Sequence, residues 1–160
     1  MTILLKQIID MDTVNYKKIA MVLGFPKCDF KCDKECGYPV CQNSPLIKLP
    51  DIEVDIDKII NMYIDDPLTQ AIVIQGLEPF DTKSQLYSFI KYFREKSNDD
   101  IVIYTGYTEE ELKEDIEELS KKTSNIIIKF GRYIPGQEKH KDEVLGVNLA
   151  SDNQYAKIIC

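Results

Sequence analysis

Four of the five cysteines lie close together, at Cys28, Cys32, Cys36 and Cys41, and the fifth is the last residue, Cys160. Thiolates bind zinc and iron–sulfur clusters well, and closely spaced cysteines on one loop can surround a single metal centre. Because no stretch near residue 1 is typical of a secretion signal, we expect a cytoplasmic protein. In that reducing compartment, clustered cysteines indicate a metal or catalytic site rather than a disulfide framework, and Cys160 is expected to be a free thiol.

The spacing of the clustered cysteines is x3, x3 and x4. A four-cysteine zinc site is compatible with this number of ligands, although structural zinc more often uses two close pairs joined by a longer span. The runs typical of electron-transfer ferredoxins, C-x2-C-x2-C with a later Cys-Pro, do not occur. A non-enzymatic zinc or iron–sulfur binding module remains one interpretation of the loop.

The rest of the chain alternates between strands and helices that can position this loop. Aliphatic runs predict buried strands, and apolar residues at helical spacing predict helices between them. Such alternation favours a mainly parallel sheet with right-handed crossovers. The predicted strands cover residues 17–23, 71–74, 101–104 and 125–130, with edge strands at 3–9 and 155–159, and the predicted helices begin at Asp55, Thr82 and Thr108.

Three glycine-containing segments follow these strands, at residues 24–28, 75–79 and 105–108. The carboxyl ends of parallel strands meet at one edge of a sheet, so we expect the three segments to converge there. Lys129 ends the next strand and could reach the same edge, although an exposed strand lysine is the commoner case.

The pair Cys28-x3-Cys32, together with Tyr38-Pro39-Val40-Cys41-Gln42-Asn43, resembles the cluster loop of the radical S-adenosylmethionine enzymes. The resemblance implies that Cys28, Cys32 and Cys41 hold a [4Fe-4S] cluster whose fourth iron binds S-adenosylmethionine, with no catalytic side chain beyond the cluster. The x3 then x8 spacing is longer than the usual x3 then x2 of that family, so Cys36 is the alternative third ligand.

Further segments are similar to the same family. Gln75-Gly76-Leu77-Glu78-Pro79 is similar to its Gly-Gly-Glu-Pro segment, with Leu77 in place of a glycine. The segment 103–108 resembles the Thr-Gly-Tyr-Thr segment of the activating proteins of anaerobic ribonucleotide reductase, and Gly131-Arg132-Tyr133 and 150–154 resemble their closing turns. The resemblance implies S-adenosylmethionine contacts from five residues: Gly76, Glu78, Pro79, Thr105 and Gly106.

This resemblance implies a single domain over residues 1–160, folded as a compact, incomplete (β/α) barrel with the cluster loop at 24–47. The implied activity is that of a radical S-adenosylmethionine oxidoreductase. It would install a glycyl radical on the large subunit of an anaerobic ribonucleoside-triphosphate reductase, with electrons from a flavodoxin- or ferredoxin-type donor. The open rim of so small a domain suits a protein substrate. Activation of another glycyl-radical enzyme, or radical chemistry on a small substrate, is the alternative within this family.

Composition argues against other classes of partner. The formal net charge is −7, which gives no field for a phosphate backbone, so nucleic acid is not expected. No apolar run approaches the ~20 residues of a membrane helix, so no membrane is expected. The charged neighbours of His140 predict a solvated loop residue, and the acidic run 109–118 predicts the exposed face of a helix.

Overall fold

The computed structural model describes residues 1–41 and 44–160. At its centre is a six-stranded sheet, and the four inner strands of this sheet run parallel. These strands are β3 (Ala20–Phe25), β5 (Ala71–Gly76), β6 (Asp100–Tyr104) and β7 (Ile126–Phe130). The antiparallel strands β2 (Gln7–Asp12) and β10 (Tyr155–Ile158) form its two edges, beside β3 and β7 respectively.

Two small antiparallel pairs accompany the sheet. One joins β1 (Thr2–Leu5) to β4 (Ile52–Asp55), and the other is the hairpin of β8 (His140–Asp142) and β9 (Val147–Leu149). The helices are α1 (Lys31–Cys36), α2 (Ile56–Asp65), α3 (Lys83–Arg94) and α4 (Lys113–Lys122), with 3-10 turns at Ser44–Lys48 and Pro79–Thr82. Within the described ranges, none of the helices combines the length and the apolar character that crossing a bilayer requires.

The three longer helices bury their apolar stripes on the core that forms one face of the sheet. Asp55 caps the start of helix α2, since its carboxylate accepts a hydrogen bond from the Asp57 N–H at 2.8 Å. Helix α3 packs on the same face of the sheet. Large side chains fill this layer. The helices contribute Ile59, Tyr63, Phe89 and Phe93, and the strands contribute Leu23, Ile74, Ile103 and Ile128.

The opposite face of the sheet is lined by smaller residues, among them Ala20, Val22, Val73 and Val102. Tyr16 and two leucines near the β8–β9 hairpin, Leu145 and Leu149, cover part of this face. Side chains alternate along a strand, so the strand ends place Gln75, Tyr104 and Lys129 on this same face. This second face of the sheet is therefore partly covered by apolar side chains and presents polar groups at the carboxyl ends of the strands.

In the described part of the chain the sheet is open, since β2 and β10 lie at its two ends and do not pair with each other. The mixed α/β fold with a mostly parallel central sheet agrees with the alternation read from the sequence. The incomplete barrel itself stays a prediction.

Some predicted bounds were wrong. A single strand over residues 3–9 does not form, because the chain changes sheets at Lys6. The side chain of Lys6 is buried there and donates to the Leu49 carbonyl at 2.6 Å, beside Asp51 at 2.7 Å. Strand β3 runs on to Phe25, so the cysteine loop begins at Pro26 rather than at residue 24.

Candidate functional site

One cavity of about 320 Å³ lies at the carboxyl ends of the parallel strands, and all three glycine-containing segments contribute to its wall. As expected from a parallel sheet, segments far apart in sequence meet at this edge. The wall contains seven residues that the sequence analysis singled out for a cofactor: Cys28, Cys32, Cys41, Gly76, Glu78, Thr105 and Gly106. Pro79 begins the 3-10 turn Pro79–Thr82, behind the wall formed by Glu78.

Three cysteine thiols face this cavity in an environment suited to a cationic centre. Burial raises the pKa of Cys28 to about 12 and also raises the pKa of Cys32, and the charge of a Cys41 thiolate acts in the same direction on both. The N–H of Phe30 donates to the Cys28 sulfur at 3.2 Å, and the Tyr133 N–H favours the thiolate of Cys32. A bound metal centre would offset the cost of three buried thiolates, so this donor set fits an iron–sulfur cluster.

The other two cysteines are placed differently. Cys36 is the last residue of α1, and the described residues that line the cavity do not include it. Cys160 packs beside the helical core, with its sulfur 4.0 Å from the Leu119 carbonyl oxygen. The cavity therefore distinguishes Cys28, Cys32 and Cys41 from the remaining pair.

Gly76 allows the strand ends to approach closely. Its φ is +101°, and a Cβ at this position would lie 2.5 Å from the Phe25 nitrogen and 2.7 Å from the Gly24 Cα. Beyond it, the N–H of Leu77 donates to the Phe25 carbonyl at 3.2 Å, and the N–H of Glu78 donates to the Lys27 carbonyl at 2.6 Å. These bonds join the second segment to the start of the cysteine loop.

Leu77 takes the place of the second glycine without backbone strain. Among the described residues other than glycine, only Phe30 and Asn125 have positive φ. The Leu77 side chain lines the cavity instead.

The Glu78 carboxylate is 5% exposed and joins the ends of β5 and β6. One of its oxygens accepts from the Thr105 hydroxyl at 2.8 Å and from the Phe80 N–H at 3.2 Å, and the other accepts from the Gly106 N–H at 2.9 Å. Burial raises the pKa of Glu78 to about 7, while these three donors act in the opposite direction. In this structure Glu78 therefore positions the Thr105–Gly106 turn.

Lys129 places a buried ammonium in the cavity wall. Its side chain is 6% exposed, its Nζ donates to the Gly131 carbonyl at 3.2 Å, and it lies 5.6 Å from the centre of the Tyr104 ring. Burial lowers the pKa of Lys129 to about 8, and the charges of Glu78 and Cys32 oppose that shift. The group can meet an anionic part of a ligand in the cavity.

Hydrogen bonds that involve Tyr107 and Asp81 attach the cysteine loop to its surroundings. The Tyr107 hydroxyl accepts from the Lys31 ammonium at 2.7 Å and donates to the Asp81 carboxylate, which also accepts from the Asp29 N–H at 3.2 Å. Within the loop, Asp33 accepts the N–H groups that lead into Cys41. Asp33 and Asp81 were not predicted as site residues, because nothing in the sequence spacing indicates their hydrogen-bond partners.

The closing turn of the chain forms the far wall. Gln154 accepts from the Ala150 and Ser151 N–H groups and donates to the Gly131 carbonyl at 3.2 Å, and Asn153 donates to the Arg132 carbonyl at 2.7 Å. These amides thus satisfy backbone groups, and Gln154 also lines the cavity.

Arg132 anchors α1 from the same side. Its guanidinium makes two bonds to Glu111, at 2.7 and 2.8 Å, and lies 3.2 Å from the carboxylate of Glu35 in α1. His140 lies in β8, and the described residues that line the cavity do not include it.

Comparison with known proteins indicates a 4Fe-4S cluster. No curated protein and no solved structure matches the chain significantly. A family model described as a 4Fe-4S single cluster domain matches residues 18–155, which include the cysteine loop, both later glycine segments and the closing turns. The chain thus belongs to the family of 4Fe-4S single cluster domains.

Proposed function

We propose that the protein is a radical S-adenosylmethionine enzyme that installs a glycyl radical on an anaerobic ribonucleotide reductase. The observation that carries the proposal is the cavity wall, to which Cys28, Cys32 and Cys41 contribute while Cys36 is not among its described residues. A cluster held by three cysteines keeps one iron for a substrate, as an open catalytic zinc site does with its three protein ligands. Membership of a 4Fe-4S family supports iron rather than zinc at these thiols.

The cavity that the three cysteines line has the size of a small-molecule site. Its volume of about 320 Å³ lies within the range of small-molecule sites, roughly 300–1,000 Å³. Cys28, Cys32 and Cys41 would hold the cluster, which when reduced would supply the electron for cleavage of S-adenosylmethionine to methionine and a 5′-deoxyadenosyl radical; that radical would take a hydrogen atom from a glycine Cα and leave as 5′-deoxyadenosine.

The residues of the chain orient that ligand and limit its access to water. Lys129 supplies a cation for the carboxylate of S-adenosylmethionine, because it is the buried ammonium in the wall. Glu78 fixes the Thr105–Gly106 turn beside the cluster loop. The apolar side chains of Val147 and Leu149, both in β9, also line the cavity.

A protein substrate fits the position of the cavity mouth. Val14 belongs to the wall and is 73% exposed, so the cavity reaches the surface at that point. An exposed mouth admits a loop of a partner, whereas a small metabolite is usually enclosed. A flavodoxin- or ferredoxin-type protein is the proposed electron donor.

The test is a series of single alanine variants, reconstituted anaerobically and reduced. We expect about four irons in the unchanged protein and formation of 5′-deoxyadenosine from S-adenosylmethionine. The activity should be lost in Cys28→Ala, Cys32→Ala and Cys41→Ala and retained in the matched controls Cys36→Ala and Cys160→Ala. Loss of the cluster in all four loop variants would indicate a closed binding module, and a colourless zinc protein would contradict the proposal.

The partner is tested separately. Mixing the reduced enzyme with the large subunit of an anaerobic ribonucleotide reductase should produce a glycyl radical signal in the electron paramagnetic resonance spectrum. Cleavage of S-adenosylmethionine without that signal would contradict the proposed partner while leaving the cofactor chemistry in place.

A further inference from the structure

We infer that Asp33 is a positioning residue that brings Cys41 back to the cluster across the long x8 spacing. This inference rests on the proposed function, which makes Cys41 the third ligand. One oxygen of the Asp33 carboxylate accepts from the Val40 N–H at 2.7 Å and from the Cys41 N–H at 2.8 Å. The two donors are the N–H groups of Cys41 and of the residue before it. The bonds therefore fix the backbone that carries the third thiol.

The path of the chain explains why such a tether is needed. After Cys32 the chain continues along α1 to Cys36, and a helix advances about 1.5 Å per residue, so the chain moves about 6 Å away from the second ligand. Gly37 then ends the helix with φ of +77°, and its N–H donates to the carbonyl oxygen of Asp33 at 2.9 Å. The chain leaves the helix here and returns to the cavity through a loop whose first residues, 37–39, are exposed.

Asp33 therefore accepts hydrogen bonds with two of its groups. Its backbone carbonyl caps the end of α1, and its side chain binds the loop backbone at Cys41. Because Cys32 and Asp33 both lie in α1, the two hydrogen bonds hold the third ligand against the helix that carries the second. The longer spacing is thus compensated by one side chain that lies beside the second ligand in sequence.

The test compares side chains of similar shape at position 33. Asp33→Asn keeps an oxygen that can accept both N–H groups, whereas Asp33→Leu has a similar outline and no acceptor. Lys34→Ala, in the same helix and exposed, is the control. After reconstitution of each protein, the rate of iron release to a chelator and the electron paramagnetic resonance spectrum of the reduced cluster are measured.

We expect Asp33→Leu to release iron about tenfold faster than the unchanged protein, since hydrogen bonds to charged acceptors are worth roughly that factor or more. Asp33→Asn, which keeps a weaker, neutral acceptor, should release it at a rate between those of the unchanged protein and Asp33→Leu, and Lys34→Ala should match the unchanged protein. Equal rates for Asp33→Leu and the unchanged protein would overturn the inference, as would an Asp33→Asn variant as labile as Asp33→Leu. If the cluster shows this pattern but cleaves no S-adenosylmethionine, the proposed function fails while the tether stands.

Discussion

Replacing Gly76 by alanine tests whether close contact between β3 and β5 builds the site. The new Cβ would lie 2.5 Å from the Phe25 nitrogen and 2.8 Å from the Gly24 carbonyl carbon, which are backbone atoms that cannot rotate away. A positive φ costs a non-glycine residue roughly 1–2 kcal/mol, and overpacking costs about 1–3 kcal/mol more. We expect Gly76→Ala to lower the free energy of unfolding by about 2–5 kcal/mol, a large part of the ~5–15 kcal/mol of a typical domain.

Gly136→Ala is the matched control, because it has the same kind of backbone conformation without the crowding. Its φ is +81°, and among the described residues outside its neighbours none has an atom within 4 Å of the added Cβ. It should therefore lose only the dihedral part, about 1–2 kcal/mol. Urea unfolding of the reduced apoproteins measures both. If Gly76→Ala were no more destabilising than Gly136→Ala, the close approach would play no part in the fold.

Three further predictions concern the cavity wall and the contacts of the cysteine loop. Because burial raises the pKa of Glu78 from 4.5 to about 7, the folded apoprotein retains a proton that the unfolded chain has lost. The free energy of unfolding should fall as the pH rises from about 4.5 to about 7, and Glu78→Gln should flatten that slope in urea titrations. Tyr107→Phe removes the hydrogen bonds to Lys31 and Asp81 and should lower the free energy of unfolding by about 1 kcal/mol in the same assay. Unchanged stability would show that these bonds do not hold the cysteine loop in place. Lys129→Met should weaken S-adenosylmethionine binding about tenfold at nearly constant apoprotein stability, and unchanged affinity would remove its proposed role.

The sequence was informative where the pattern is local. Alternation of aliphatic runs with helical stripes predicted the parallel strands β3, β5, β6 and β7, because each burial pattern repeats within one element. The same reasoning predicted that the segments after three of these strands would meet. The cavity does contain residues from all three, and parallel strands leave few other arrangements.

Contacts between distant residues could not be predicted in this way. The contact of Glu78 with S-adenosylmethionine stays a prediction, and the three protein donors to its carboxylate were not foreseen: they come from Phe80 and from Thr105 and Gly106, which follow β6. Nothing in the spacing shows which of several polar neighbours a buried carboxylate will meet.

Short elements were missed for a different reason. The β8–β9 hairpin has three residues in each strand, too few for a period of two to be recognised among charged neighbours. Strand β4 was missed too, since its four residues read as the approach to α2 and it pairs with β1 at the other end of the sequence.

The most direct measurement of the central claim is the electron paramagnetic resonance spectrum of the reduced, reconstituted protein before and after S-adenosylmethionine is added. If Cys28, Cys32 and Cys41 hold a cluster with one open iron, the added ligand should change the g values in the unchanged protein and in Cys36→Ala. A cluster signal that S-adenosylmethionine leaves unaltered in both proteins would contradict the account.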